Sequence, residues 1–279
     1  MMFSKAILFT VLCIGIALIK GDTDYNNVFP VKQPNPPHIP LPNGIPSPRI
    51  TGGVESVPNS RPYQVGLFIP VEEGTAFCGG SLISRQTVLT AAHCIENIYG
   101  PVEIVLGAHS IRQHEDTQLR LAASNIVIHP EWDSSLIRND VALIRLPQPV
   151  QLNENIQIID LAHNSDSSFE GDQALASGWG RDSDQSQSIS PVLREVEVPI
   201  ISNRLCNVAY LGAIEDSHIC ASGLDGKSTC SGDSGGPLVV DNTQVGITSF
   251  GIALGCEIGW PSAYARVSSY INWIRENSI

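Results

Sequence analysis

Residues 232–237 read Gly-Asp-Ser-Gly-Gly-Pro, and no other stretch of the 279-residue chain says more about its fold. Glycine and proline are poor material for a packed core, because glycine has no side chain to bury and proline lacks a backbone donor. Glycine does let the backbone adopt unusual angles and come close to a ligand. A tight turn would have a similar composition, so the interpretation depends on what accompanies it.

Two further motifs precede this stretch. TAAHC at 90–94 places His93 before a cysteine, and NDVALIRL at 139–146 places Asp140 at the start of an apolar strand. Each has an ordinary explanation, since a histidine beside a cysteine is often structural and Asp is common at a turn. Together with Ser234, however, they bring a hydroxyl, an imidazole and a carboxylate into one chain, and an ordinary turn does not explain the joint occurrence of all three motifs. The three motifs therefore indicate a catalytic site.

From residue 50 onwards, short apolar stretches alternate with Gly, Pro and Asn, which predicts an all-β barrel or sandwich. The polar stretch 163–172 is typical of a linker between two halves. Strands are predicted at 64–69, 80–83, 87–90, 103–106, 126–128, 141–146, 173–178, 195–200, 237–240, 244–250 and 263–267.

Only the C-terminus has a clear helical pattern. Ser268 or Ser269 can cap the helix. An apolar stripe at i, i+3, i+4 and i+7 follows and should pack on the second half. Its members are Tyr270, Trp273, Ile274 and Asn277.

The N-terminus carries a targeting signal. The apolar run at 6–19 is as long as a signal-peptide core and shorter than the roughly 20 residues of a membrane span, so we predict a signal peptide at 1–21. A membrane anchor is the alternative. Residues 22–49 are predicted to be a pro-segment, because eight prolines between 30 and 48 favour an extended, exposed chain. A polyproline ligand for another domain is the alternative.

Six cysteines remain after the signal peptide, and in an oxidising compartment they suggest three disulfides with 15 possible pairings. No C-x-x-C occurs, so we expect no metal site and no cofactor. Residues 50–279 hold 12 of the 16 basic but 26 of the 28 acidic side chains. Such a surface repels phosphate, which argues against nucleic acid and anionic membranes as partners.

The three motifs and their order resemble the trypsin/chymotrypsin family of serine endopeptidases over residues 50–279. The stretch at 255–274, GCEIGWPSAYARVSSYINWI, further resembles the chymotrypsin-like and collagenase-like (brachyurin-type) digestive proteases of arthropods. The resemblance implies an all-β fold of two antiparallel six-stranded β-barrels, about 50–162 and about 173–279, with a C-terminal helix. The implied disulfides are Cys78–Cys94, Cys206–Cys220 and Cys230–Cys256.

The resemblance also implies a role for each motif residue. Ser234 would be the nucleophile, His93 the general base and acid, and Asp140 the group that orients the histidine. The backbone N–H groups of Gly232 and Ser234 would form the oxyanion hole.

A zymogen junction is implied as well. Cleavage after Arg49 by a trypsin-like protease would create an α-amine on Ile50, and that amine would pair with the carboxylate of Asp233. An exposed surface loop is the alternative explanation for this stretch.

Specificity would depend on a pocket with Ser228 at its base and Gly251 and Ser262 on its walls. A neutral serine at the base disfavours Lys and Arg, because a buried cation would lack a partner. We therefore expect chymotrypsin-like cleavage after Phe, Tyr, Leu or Met. The stretch Ser249-Phe250-Gly251 would pair with the substrate as an antiparallel strand.

These inferences predict a secreted, extracellular, monomeric digestive endopeptidase made as a zymogen. Its partners would be protein or peptide substrates, the activating protease and protein protease inhibitors. Venom, salivary and defence roles are alternatives, as are elastase-like or broad collagenolytic specificity. In a different class, the chain would be a non-catalytic protease homologue acting as a binding protein, but such homologues typically lack a residue of the triad.

Overall fold

The computed structural model describes residues 25, 27–31, 33–34, 52–123, 125–163, 167–252 and 254–279. The predicted signal peptide and the junction of Arg49 with Ile50 lie outside the described residues. Within these ranges, no helix combines the length and the apolar character that crossing a membrane requires.

Short strands dominate the described chain, in keeping with its short apolar stretches. The strands are β1 (Val28–Pro30), β2 (Val54–Glu55), β3 (Gln64–Val71), β4 (Gly74–Ser84), β5 (Thr87–Thr90), β6 (Val102–Leu106), β7 (Leu119–Ala123), β8 (Asn125–Ile128), β9 (Ala142–Arg145), β10 (Asp160–Leu161), β11 (Gln173–Gly178), β12 (Arg194–Ile201), β13 (His218–Ala221), β14 (Pro237–Val240), β15 (Thr243–Phe250) and β16 (Ser262–Arg266). The helices are α1 (Ala92–Ile95), α2 (Asn203–Tyr210) and α3 (Val267–Asn277), with a 3-10 helix at Leu224–Gly226.

The first sheet has the order β7-β6-β3-β4-β5-β9-β8, and β1 is added to β4. One residue separates β7 from β8, so the sheet begins and ends on the same stretch of chain. Apart from the parallel β1–β4 pair, its strand pairs are antiparallel. The fully buried side chains of Val65, Leu67, Leu89 and Ile104 belong to its core.

The second sheet has the order β10-β15-β14-β11-β12-β13-β16, and β15 also pairs with β16. That additional pairing closes six strands into a ring around Val196, Ile219, Leu238 and Tyr264. Counting the β7–β8 stretch as one strand, each half has six barrel strands. The predicted fold class is confirmed.

All eleven strands predicted from the sequence are present, although β4 begins six residues before its predicted start. The prediction missed five short strands and the helices α1 and α2. Helix α1 has only four residues, too few for a periodic pattern. Helix α2 does carry a signal, because the Ser202 side chain accepts a hydrogen bond from the N–H of Leu205 as an N-cap.

The C-terminal helix differs from its prediction in two respects. It begins at Val267 after Arg266, and no side chain caps it, so the predicted serine cap is wrong. Tyr270 and Ile274 join the core cluster of the first barrel instead of packing on the second half alone. The periodic pattern identifies a buried face, but it carries no information on which barrel covers that face.

The predicted pro-segment also departs from expectation. Residues 28–30 form a strand, and Val28 is buried at 3% exposure instead of lying in solvent. The many prolines argued against a strand here. Pro30, however, occupies the last position of a short edge strand, where the missing backbone donor is tolerated.

Three disulfides connect Cys78 with Cys94, Cys206 with Cys220, and Cys230 with Cys256. These are the pairs that the resemblance implies. The first attaches α1 to β4, and the last connects the segment before Ser234 with the segment after β15.

Replacing Ile274 by Ala should lower the free energy of unfolding by about 2–5 kcal/mol, because the side chain is 1% exposed and its removal leaves a cavity. Glu276→Ala, on the exposed face of the same helix, should change it by no more than about 0.5 kcal/mol. Denaturant unfolding of both variants measures the difference. Equal losses would contradict the packing of α3 described above.

Candidate active site

His93 lies in α1, directly after β5. The neighbouring side chains of Ala92 and Cys94 are buried, and the Cys78–Cys94 disulfide attaches the turn to β4. Because buried neighbours and a disulfide hold α1 against the first barrel, that barrel determines the position of the His93 imidazole.

Asp140 holds the histidine through both carboxylate oxygens. Its Oδ2 lies 2.8 Å from His93 Nδ1, and its Oδ1 accepts the backbone N–H of His93 at 3.0 Å. Burial alone would raise the pKa of Asp140, but the neighbouring His93 and the hydrogen bonds from His93 and Ser249 outweigh it and lower the pKa. The carboxylate is therefore ionised at neutral pH, although its side chain is only 1% exposed.

Ser249 is a site residue whose role sequence reasoning missed. Its hydroxyl donates to Asp140 Oδ2 at 2.5 Å, and its side chain is fully buried. The pairing of β15 with β16 slips at this residue, so Ser249 is the extra residue of a bulge. Bulges redirect side chains. A serine within the apolar run of β15 is a signal, because a buried hydroxyl requires a partner.

Ser234 lies in a loop held by both barrels. Its carbonyl accepts the N–H of Gly79 on β4 at 2.8 Å, and Gly235 N–H donates to the Thr248 carbonyl on β15 at 2.8 Å. Gly235 has φ of +77°, and a Cβ there would lie 2.2 Å from Thr90 Oγ1. Only glycine fits between β5 and the serine, which explains part of the 232–237 motif.

Asp233 is buried with no ion-pair partner among the described residues. Its carboxylate is 1% exposed and accepts the N–H groups of Gly180 and Cys230 at 2.7 and 2.9 Å. Burial raises its pKa to about 6, although these two hydrogen bonds and the charge of Arg194 lower it. A Cβ on Gly178 or Gly180 would lie within 2.4 Å of this carboxylate, so the surrounding chain is shaped to fit it.

The predicted pocket residues lie together. Ser228 Oγ is 2.7 Å from Ser262 Oγ and donates to the Thr229 carbonyl at 2.9 Å. Both serines are nearly inaccessible, at 5% and 4% exposure. Gly251 follows β15 directly, and Phe250 turns into a separate cluster with Tyr210, so Phe250 can contribute only its backbone to a substrate strand.

The predicted nucleophile and one predicted oxyanion donor have the following surroundings. Ser234 Oγ is buried and has no hydrogen-bond partner in the described part of the chain, His93 included. The N–H of Gly232, predicted as an oxyanion donor, donates instead to the carbonyl of Val31 at 3.2 Å. Such catalytic contacts often tighten only when substrate binds.

Two groups of side chains have the residue types of metal sites, namely Cys78 with His93 and Cys94, and Asp184 with Cys230 and Cys256. All four cysteines are in disulfides. A metal requires the thiolate, so neither group offers the ligands it would need.

Residues 50–274 match the family model described as Trypsin. The chain belongs to the trypsin family of serine proteases. It is 47% identical over 226 residues to brachyurin from Leptuca pugilator, a match covering 81% of this chain and 97% of that protein. It is 39% identical over 276 residues to chymotrypsin from Phaedon cochleariae, covering 98% of each. The solved structure of HL collagenase aligns with a TM-score of 0.74 at 37% identity, over 81% of this chain and 97% of that one.

The resemblance predicted from the motifs is thereby confirmed, and the protein is a serine endopeptidase. The structure gives this protease a buried histidine–carboxylate pair, His93 with Asp140, and a buried serine, Ser234, in the loop at 232–237.

Replacing Ser249 by Ala should lower the kcat of the activated protease about tenfold with little change in KM. The reason is that Asp140 loses a hydrogen bond, and bonds to charged groups contribute roughly 1.5–3 kcal/mol. Ser190→Ala, which removes a comparable buried hydroxyl bonded to the Val192 carbonyl at 2.7 Å, is the matched control and should retain kcat. Steady-state kinetics on a peptide substrate measure kcat and KM of both variants. An equal loss of kcat in the two would contradict a role for Ser249 at the Asp140 carboxylate.

Proposed function

We propose that the protein is a secreted zymogen that, after cleavage behind Arg49, hydrolyses peptide bonds on the carboxyl side of large apolar residues. Ser234, His93 and Asp140 form its catalytic triad. The observation that carries the specificity is the hydrogen bond between the two pocket serines, Ser228 and Ser262.

The triad roles follow from the contact between His93 and Asp140. A carboxylate on Nδ1 fixes the imidazole so that Nε2 accepts the proton of Ser234. The released hydroxyl oxygen attacks the substrate carbonyl, and His93 then returns the proton to the leaving amine. Asp140 stabilises the imidazolium formed in between, which its low pKa and ionised state support.

The backbone N–H groups of Gly232 and Ser234 receive the negative charge that develops on the substrate oxygen. One such donor contributes about 3–4 kcal/mol to transition-state stabilisation in proteases that use an oxyanion hole. The hydrogen bond of Gly232 to a carbonyl oxygen in this structure supports the assignment, since the same N–H faces an oxygen acceptor.

The pocket is neutral at its base, where Ser228 donates to the Thr229 carbonyl and accepts the hydroxyl of Ser262. A Lys or Arg side chain there would be a buried charge without a partner, which is strongly disfavoured. Because these hydroxyls already have hydrogen-bond partners, burying an apolar side chain against them leaves no donor unpaired and costs little free energy. Gly251 leaves room for a large one.

Activation depends on Asp233. Cleavage after Arg49 frees the α-amine of Ile50. This amine then pairs with the buried carboxylate of Asp233 and gives it a positively charged partner. Removing one partner of a buried pair costs about 3–5 kcal/mol, enough to control the shape of the loop that carries Gly232 and Ser234. Secretion is supported by the predicted signal peptide at 1–21 and by three disulfides, which form in oxidising compartments.

The relatives suggest a second specificity. A brachyurin and the HL collagenase are among them, and Ser262 narrows the pocket relative to a glycine. Broad collagenolytic or elastase-like cleavage is therefore the alternative outcome of the experiment below.

The test uses the full secreted chain, cut with trypsin and then freed of trypsin. We expect turnover of peptides with Phe, Tyr or Leu before the scissile bond and none in the Ser234→Ala variant. Arg49→Gln should remain inactive after the same treatment. Ser228→Asp should shift preference toward Lys and Arg by at least tenfold, because it places a carboxylate at the pocket base.

Each other outcome has a definite meaning. Turnover mainly at Ala or Val would replace the chymotrypsin-like assignment by an elastase-like one, and cleavage of native collagen by a collagenolytic one. Turnover mainly at Lys or Arg would contradict the role of Ser228. An inactive protein with Ile50 as its new N-terminus would contradict the catalytic assignment altogether.

A further inference from the structure

We propose that the pro-segment, through Tyr25 and residues 27–31 and 33–34, binds the active-site cleft in the direction opposite to a substrate and acts as an inhibitor that the enzyme cannot cleave. The receiving surface on the first barrel is then a peptide-binding site of the mature protease. This proposal rests on the proposed catalytic function of Gly232, Ser234 and the strand at Ser249–Gly251.

Tyr25 anchors the segment at one end. Its ring contacts Phe68 edge-on at 5.1 Å between centroids, and the guanidinium of Arg120 lies 5.0 Å above it. Arg120 also donates to the Tyr25 hydroxyl at 2.8 Å, and that hydroxyl donates to Glu103 at 3.2 Å. A tyrosine held by stacking and by two hydrogen bonds is a specific contact.

Val28 and strand β1 form the middle of the contact. Val28 packs into an apolar cluster with Phe68, Phe77 and Trp179. Strand β1 lies parallel to the start of β4, and Val31 N–H continues the pairing by donating to the Phe77 carbonyl at 3.0 Å. Strand addition of this kind gives affinity through the backbone and specificity through alternate side chains.

The next residues of the segment contact the proposed oxyanion loop and the proposed substrate strand. The Val31 carbonyl accepts the N–H of Gly232, the proposed oxyanion donor, at 3.2 Å. Two residues later, Gln33 covers Gly251, with its Oε1 2.5 Å from the point where a Cβ of Gly251 would be. The segment therefore occupies both the oxyanion site and the end of the substrate strand.

The direction of the segment explains why this contact would not lead to cleavage. A substrate antiparallel to β15 passes Gly251 first and reaches the oxyanion site afterwards. The pro-segment passes Gly232 at Val31 and reaches Gly251 at Gln33, so it runs the other way. Gln33 lies on the side where a substrate has its acyl half, so an amine released on that side would be wrongly placed for protonation by His93.

No cysteine lies within residues 22–49, so after the cut at Arg49 no disulfide retains the segment, and noncovalent contacts such as these must hold it. Cleavage of the junction and release of activity are then separate steps. At high protein concentration the freed segment remains bound, and dilution releases the active enzyme.

The test adds a synthetic peptide of residues 22–34 to the trypsin-cut, trypsin-free protease. We expect inhibition that is competitive with a small peptide substrate, and mass spectrometry should find the peptide intact after hours. Val28→Asp in the peptide should weaken inhibition at least tenfold, because the charge would enter the apolar cluster. Phe29→Asp, one residue along at a side chain that is 37% exposed, is the matched control and should weaken it less than threefold.

Titration calorimetry with the cut Ser234→Ala protein measures binding of the same peptides without requiring activity. If the wild-type enzyme cleaves no substrate but its Ser234→Ala variant binds the peptide with the same Val28 dependence, the proposed function fails and the binding site stands. Absence of binding, cleavage of the peptide after Val31, or equal effects of the two aspartates would overturn the inference.

Discussion

The proposed control of this active site depends on one buried carboxylate, Asp233, that forms no ion pair with any of the described residues. Asp233 lies between the two residues that are proposed to form the oxyanion hole, and it is held by two backbone N–H groups. Moving a charge out of water without a partner is costly, which is why burial raises its pKa to about 6. The glycines at 178 and 180 leave the space that this side chain fills. The surrounding residues therefore allow the carboxylate to be buried although its burial is unfavourable.

Two restraints on the active site of the uncut chain are proposed. One is electrostatic, because Asp233 lacks the cation that cleavage at Arg49 is proposed to supply. The other is steric, because Val31 engages Gly232 and Gln33 covers Gly251. The steric restraint also reaches Gly251, beyond residues 232–234, while His93 and Asp140 are already paired at 2.8 Å. The proposed regulation therefore acts on the oxyanion loop and the substrate strand and leaves the histidine–carboxylate pair in place.

The strand pattern allowed an all-β barrel or sandwich and eleven strands to be predicted, because strand period is a local signal. The two-barrel fold and the pairing of His93 with Asp140 were expected only from the resemblance that the motifs carry. The role of Ser249 was not predictable, since a bulge between β15 and β16 directs its hydroxyl to Asp140. The strand at Val28–Pro30 was missed because its stability comes from Phe68, Phe77 and Trp179, which are distant in sequence. The face that α3 buries was predictable, but the barrel that covers it was not.

The most direct test is the pH dependence of unfolding of the uncut and cut protein, both carrying Ser234→Ala to prevent self-digestion. In the uncut chain the folded pKa of Asp233, about 6, lies above the unfolded value of 3.8, so stability should fall by about 3 kcal/mol as pH rises from about 4 to above 6. Asp233→Asn should remove this slope. In the cut protein the Ile50 amine should lower the pKa, so this loss on raising the pH should disappear, and stability should instead be lost as pH falls through the lowered pKa. The same slope before and after cleavage would contradict the account.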